Sequence, residues 1–235
     1  MSDSGASDGR TLAASGSLVI PGDKISTNYS GQLGHGVMKI DNTITATKMG
    51  VVVENSGVIS VTPLHTAYFP RPGDLVIGYI EGLRSNMWFI DLGAPFNAIL
   101  PMSLAPMKVE FGATRDAMDV GTTLLCRIQE VDEAHSSVTT MKGMGLRKIV
   151  SGFVDQVPPH LVSFLSNNNN EVIDTIKNST STRIILGANG RIWIDGEPSG
   201  IRVARGAFSL IRDNYGSSDL FSKVISYLEQ NKESD

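Results

Sequence analysis

At 235 residues with 41% apolar side chains, the chain can fill two or three small cores and is too apolar to be disordered throughout. A net charge of −4 excludes the strongly basic surface of a protein that grips nucleic-acid phosphates unaided, and the single cysteine excludes intrachain disulfides. No apolar run nears the roughly 18 to 20 residues of a membrane-spanning helix, and Met1-Ser2-Asp3-Ser4-Gly5 does not open a signal peptide, so a soluble cytoplasmic chain is expected.

Residues 1–17, rich in Ser, Gly, Ala and Asp, predict a disordered leader or an arm, with regular structure starting near Leu18. From Leu18 to Phe69, short apolar runs (Gly36 to Ile40, Ile44 to Thr47, Val51 to Val53, Val58 to Thr62) alternate with turns such as Asp41-Asn42. That spacing predicts a small antiparallel sheet or half-barrel over 18–69. Pro70-Arg71-Pro72-Gly73 then interrupts regular pairing and marks a boundary.

A second all-β module follows over 70–143, with strands at Leu75 to Glu81, Met87 to Leu92, Ala98 to Pro101, Thr122 to Val131 and Ser137 to Met141. Five strands with a long excursion after the third, Ser103 to Val120, predict an OB-type barrel. Cys126 lies in an apolar strand and reads as a buried packing residue. Trp88 and Phe89 are strand neighbours, so only one of them points into the core. Met141 reads as core filling, and Met107 and Met118, on the excursion, as contacts for a partner.

The last module, 146–235, reads strand (Lys148 to Phe153), helix (Pro159 to Leu165), helix (Glu171 to Lys177), strand, turn, strand (Thr182 to Gly196), helix. Asn189-Gly190 offers two residues that accept positive φ, as a tight hairpin turn demands. Ile201, Ala204, Phe208 and Ile211 recur at helical spacing, and Asp219 to Gln230 predicts a further amphipathic helix that either caps this module or docks on a neighbour.

No arrangement of catalytic residues is evident. Asp132-Glu133-Ala134-His135 has the letters of a helicase box, but the chain has no Gly-x-x-x-x-Gly-Lys-Ser/Thr loop to accompany it. His35, His65, His135 and His160 are scattered, and Asp91, Asp132, Asp155 and Asp195 each stand alone at strand ends or turns. We therefore expect no catalytic residues, no metal and no cofactor.

The order strand, helix, helix, strand, strand, helix resembles a type I KH domain. Pro72-Gly73-Asp74-Leu75-Val76-Ile77-Gly78-Tyr79, Trp88-Phe89-Ile90-Asp91-Leu92-Gly93 and Glu130-Val131-Asp132 resemble an S1 RNA-binding domain. The expected fold class is thus multidomain, mostly β plus α+β. It comprises a small N-terminal β module, an OB-type S1 barrel and a divergent type I KH domain (βααββα) with a C-terminal helix.

By resemblance, the S1 domain's exposed aromatic falls at Phe89. Two other base-contact positions fall at Asn86 and Pro101, which cannot stack as an aromatic does. Arg84, Lys108, Arg115, Arg127 and Lys142 are the expected RNA-backbone contacts, by their charge on such a barrel. The KH family's Gly-x-x-Gly clamp falls at Asn167-Asn168-Asn169-Asn170, which has neither glycines nor basic residues, so this loop is expected to hold RNA weakly.

An N-terminal β module, an S1 domain and a divergent KH domain in this order resemble the S1/KH cap subunits of the archaeal RNA exosome. Gly187-Ala188-Asn189-Gly190-Arg191-Ile192-Trp193 resembles that family's hairpin, a structural element with no RNA role. The resemblance implies a non-catalytic RNA-binding subunit. Three copies would cap a hexameric ring of ribonuclease PH-like subunits that degrades RNA from its 3′ end. The alternative is a free-standing S1/KH protein acting in translation or ribosome assembly.

Overall fold

The computed structural model describes residues 11–55, 57–63, 67–167, 171–214 and 220–232. The chain divides into two compact units, 1–66 and 67–235.

In the first unit, β1 (Leu18–Val19), β2 (Lys24–Thr27), β3 (Gln32–Leu33), β4 (Val37–Ile40), β5 (Thr43–Ala46), β6 (Gly50–Asn55) and β7 (Val58–Pro63) form two small sheets. Their strand orders are β1-β6-β7-β3 and β2-β5-β4, and β3 joins β7 in parallel. Val19, Ile25, Ile44, Ala46, Val52, Ile59 and Val61 make the core.

From Thr11 onward the leader is an arm laid on the first unit, and structure begins before the expected Leu18. Thr11 bridges Ser26, the N–H groups of Leu12 and Ala13 both donate to the Ile25 carbonyl, and Gly16 N–H donates to Val52. These bonds are made by backbone alone, so the polar composition carries no sign of them. Residues 1–10 lie outside the described residues.

In the second unit, β8 (Leu75–Arg84), β9 (Met87–Asp91), β10 (Ala98–Pro101), β11 (Thr123–Val131) and β12 (Ser137–Thr140) close into a barrel. The order is β12-β10-β9-β8-β11, with β12 returning to β11 and the β10–β12 pair parallel. Register shifts at Ile80/Gly82 and Ile128/Glu130 supply the bends that closure requires. Inward side chains alternate along β9, where Trp88 and Ile90 are buried while Met87, Phe89 and Asp91 are partly open. Cys126 is fully buried, and burial pushes its thiol up to about 12, which leaves it inert at neutral pH.

Beyond the barrel come β13 (Arg147–Ile149), β14 (Phe153–Gln156), α2 (Pro159–Asn167), α3 (Glu171–Thr180), β15 (Arg183–Leu186), β16 (Arg191–Asp195), α4 (Pro198–Asp213) and α5 (Leu220–Lys232). A short α1 (Thr114–Ala117) lies in the excursion between β10 and β11. The expected strand Lys148 to Phe153 is in fact two. Arg147–Ile149 pairs with β11 of the barrel, and Phe153–Gln156 pairs with β16. Gly152, at φ 83°, lies in the break between them and turns the chain into the next sheet.

The antiparallel sheet β14-β16-β15 carries helices on one face, over a core that includes Ile176, Ile192, Ile194, Ala204, Phe208 and Ile211. Leu220, Val224 and Leu228 of α5 join that core, so α5 caps this module. On the sheet's other face Trp193, Val154 and Ile185 pack with Ile77, Leu125 and Leu75 of the barrel and Ile149 of β13. The barrel and the KH-like sheet thus share an apolar joint.

Candidate nucleic-acid interface

On the barrel's outer surface, Phe89 pairs with Ile99, and Ile99 with Val138, giving a row of half-exposed apolar side chains across β9, β10 and β12. The Arg84 guanidinium lies 5.5 Å from the Phe89 ring centroid, a cation–π pair at the open end of β8. Trp88 faces inward, donating from Nε1 to the carbonyls of Thr114 (3.2 Å) and Met118 (2.9 Å).

The excursion between β10 and β11 is sewn to the β8–β9 turn. Met102 N–H donates to Asn86, Gly112 N–H to Ser85, and the Thr114 hydroxyl to Arg84. It forms an open groove of about 450 Å³ whose lining includes Met102, Met107 and Val109, with Lys108 and Lys142 on it. An apolar floor beside two ammonium groups suits a flat base joined to an anionic backbone. Met118, expected at a partner surface, is instead buried in the barrel core, whereas Met107 is exposed.

The expected contact residues fall into three settings. Arg84 stands with Phe89, and Lys108 with Lys142. Arg115 and Arg127 are exposed but engaged locally: Arg115 pairs with Asp119 at 3.5 Å, and Arg127 donates to the Gly73 carbonyl at 2.6 Å. Phe111, which neither charge nor motif singles out in the sequence, is 78% exposed on the same excursion.

The hairpin between β15 and β16 serves the joint. Asn189 is buried, with Nδ2 donating to the carbonyls of Ile77 (2.7 Å) and Leu92 (2.9 Å) and Oδ1 accepting from Ile77 N–H (3.3 Å). Arg191, also buried, donates to the Asp91 carbonyl (2.6 Å), pairs with the Asp91 carboxylate (2.5 Å) and lies 4.6 Å from the Tyr79 ring centroid. Of the two residues expected to take positive φ, only Gly190 does, at 81°. Asn189 instead serves through its amide.

Burial raises the Asp91 pKa, but the Gly93 N–H and the Arg191 guanidinium outweigh it and hold the carboxyl below its usual value of 3.8. A carboxyl depressed by folding stabilises the fold above its unfolded pKa, and that contribution is lost as pH falls through the folded value. D91N is therefore expected to be less stable than wild type at neutral pH and to lose less stability below about pH 4. Acid-unfolding curves that run parallel for the two proteins would assign the acid sensitivity elsewhere.

A KH-domain family profile matches residues 152–200. The exosome complex component Rrp4 of Methanothermobacter thermautotrophicus is 34% identical over 215 residues, covering 91% of this chain and 68% of the relative. The same component from Thermoplasma acidophilum is 30% identical, over 92% of this chain and 91% of its own. This chain belongs to the Rrp4 family of exosome complex components. A crystal structure of a protein assigned as an exosome complex RNA-binding protein matches the fold at TM-score 0.66, with 24% identity over 72% of this chain and 99% of that one.

In this Rrp4-family chain the isolated aspartates turn out to have structural partners. Asp155 pairs with Arg212 (3.0 Å) and Arg205 (3.8 Å), Asp195 accepts from the Ser151 hydroxyl, and Asp132 accepts from Ser136 N–H in the β11–β12 turn. Among the described residues no group of three or more His, Cys, Asp or Glu side chains could hold a metal ion, and no helix is long and apolar enough to cross a membrane. Of the asparagine loop, Asn167 ends α2, and 168–170 lie outside the described residues, as does His65.

Proposed function

We propose that this chain is a non-catalytic RNA-capturing subunit of an exosome, with residues 18–69, 70–143 and 146–235 acting as N-terminal, S1 and KH-like domains. It sits in three copies on a hexameric ring of ribonuclease PH-like subunits in the cytoplasm and feeds single-stranded RNA into the ring. The reading is carried by one observation: the barrel presents the Arg84–Phe89 pair, and an apolar groove of its excursion carries Lys108 and, from just past the end of β12, Lys142. Stacking on Phe89 holds a base without regard to its identity, and the cations hold phosphates.

The net charge of −4 fits a subunit whose single site is weak. Three such sites around one entry gain affinity through effective concentration. The N-terminal unit leaves Leu18, Ile20, Met38 and Ile40 about half exposed, which supports a docking role for it.

Purification from the native extract at moderate salt tests the assembly. Ribonuclease PH-like subunits are expected in fixed stoichiometry, and ribosomal proteins in their place would overturn the reading. In that complex, the triple variant R84Q, K108Q, K142Q is expected to flatten the dependence of log affinity on log salt by about 2, at roughly 0.7 for each single-strand phosphate no longer neutralised. An unchanged slope would remove these three residues from the RNA path.

A further inference from the structure

We infer that Phe111 is a second base-stacking platform for single-stranded RNA, outside the barrel strands and adjoining the Arg84–Phe89 pair. The inference rests on the RNA-capturing role proposed above. At 78% exposed, Phe111 is the most open aromatic among the described residues. A phenylalanine on a wandering loop would mean little, since single exposed apolar residues are ordinary. This one is held in place.

Ala113 N–H donates to the Glu110 carbonyl at 3.0 Å across a tight turn with Phe111 at its second position and Gly112, at φ 90°, at its third. Gly112 N–H donates to the Ser85 carbonyl at 2.8 Å, and the buried Thr114 clamps the next residues to Arg84. The backbone that carries the ring is thus held beside Arg84 and Ser85 at the end of β8, and little backbone ordering cost remains for a ligand to meet.

The chemistry of the surroundings selects the ligand. Arg84 lies beside Ser85, and Lys108 stands three positions before Phe111 on the groove. Glu110 precedes the ring and Asp116 and Asp119 follow it in sequence, and Asp119 is engaged by Arg115. A chain of flat groups joined by anions can lay a base on Phe111, another on Phe89, and its phosphates along Arg84 and Lys108. Only unpaired nucleotides expose base faces in this way, so the ligand is single-stranded RNA.

The test uses the full-length F111W chain, because both native tryptophans, Trp88 and Trp193, are buried at 0% and 3% exposure. The introduced indole is then the solvent-exposed emitter. On titration with labelled oligoadenylate at low salt, its emission is expected to quench over the range in which RNA anisotropy rises. F111A is expected to bind at least about fivefold more weakly, with unfolding temperature unchanged.

Indole emission that stays constant while RNA binds, or wild-type affinity in F111A, overturns the inference. So does F111A releasing ring subunits without loss of RNA affinity, which would make Phe111 a protein contact. If neither the wild-type chain nor its complex binds oligoadenylate, the RNA-capturing role itself falls, and this inference with it.

Discussion

Replacing Gly190 with valine is expected to lower the unfolding temperature of the barrel and KH-like unit by about 5 to 20 °C. A Cβ at this position would lie 2.2 Å from the Val157 carbonyl oxygen, a backbone atom that cannot rotate aside, and φ of 81° strains any L side chain. Backbone strain of about 1 to 3 kcal/mol and overpacking of a similar size give about 2 to 6 kcal/mol together. At roughly 2 to 4 °C per kcal/mol for a protein of this size, that is the expected shift.

The damage spreads because Val157 N–H donates to the Gly190 carbonyl at 2.8 Å, and Val157 leads directly into α2. The clash begins at Cβ, so alanine should be nearly as harmful. Asparagine, which ordinarily tolerates positive φ, should give no relief either. Thermal unfolding followed by near-ultraviolet circular dichroism checks this, since Trp193 sits in the joint and Trp88 in the barrel core. A G190N protein melting within about 2 °C of wild type would remove Gly190 from its place against Val157.

How far such features are legible in sequence depends on whether the neighbour that fixes them is local. The five barrel strands are legible because half-buried strands alternate, as Met87 to Asp91 do, and the KH-like order because its helices repeat apolar residues at a helical period. The two-residue strands β1 and β3 carry no periodicity; their partners β6 and β7 make them strands. Lys148 to Phe153 looks like one opening strand of the last module because Ile149, Val150 and Phe153 fall in a single short run. Only Gly152 betrays the break.

The site divides in the same way. Phe89 as the outward aromatic follows from strand alternation and resemblance together. Lys108 and Lys142 stand out for their charge, but nothing in their separate segments says that they share a groove. Met118 and Met107 look alike in sequence, yet the barrel takes one and leaves the other. Phe111 is invisible there, because its significance lies in hydrogen bonds from Gly112 and Thr114 to a distant turn. Asn189 has the look of a turn residue, whereas its amide is committed to Ile77 and Leu92 on the barrel.

That commitment yields the second large effect. In N189D the Nδ2 donor becomes an oxygen facing the carbonyls of Ile77 and Leu92, which accept from it at 2.7 and 2.9 Å in wild type. Arg191 offsets part of the repulsion, but it is already engaged by Asp91. The buried carboxylate is disfavoured, so the introduced group's pKa is raised in the folded state. A shift of about 3 units corresponds to roughly 4 kcal/mol lost at pH 7, while a protonated carboxyl restores one of the two donated bonds. Stability is then fully present below the unfolded value near 3.9 and lost as pH rises through the raised one. Wild type runs the other way through Asp91, losing stability as pH falls. Denaturant unfolding between pH 4 and pH 7 should therefore show N189D losing stability as pH rises, while wild type, whose Asp91 contribution is lost only below about pH 4, shows no such fall. An N189D profile parallel to wild type would mean that the barrel and the KH-like sheet are not locked through this amide.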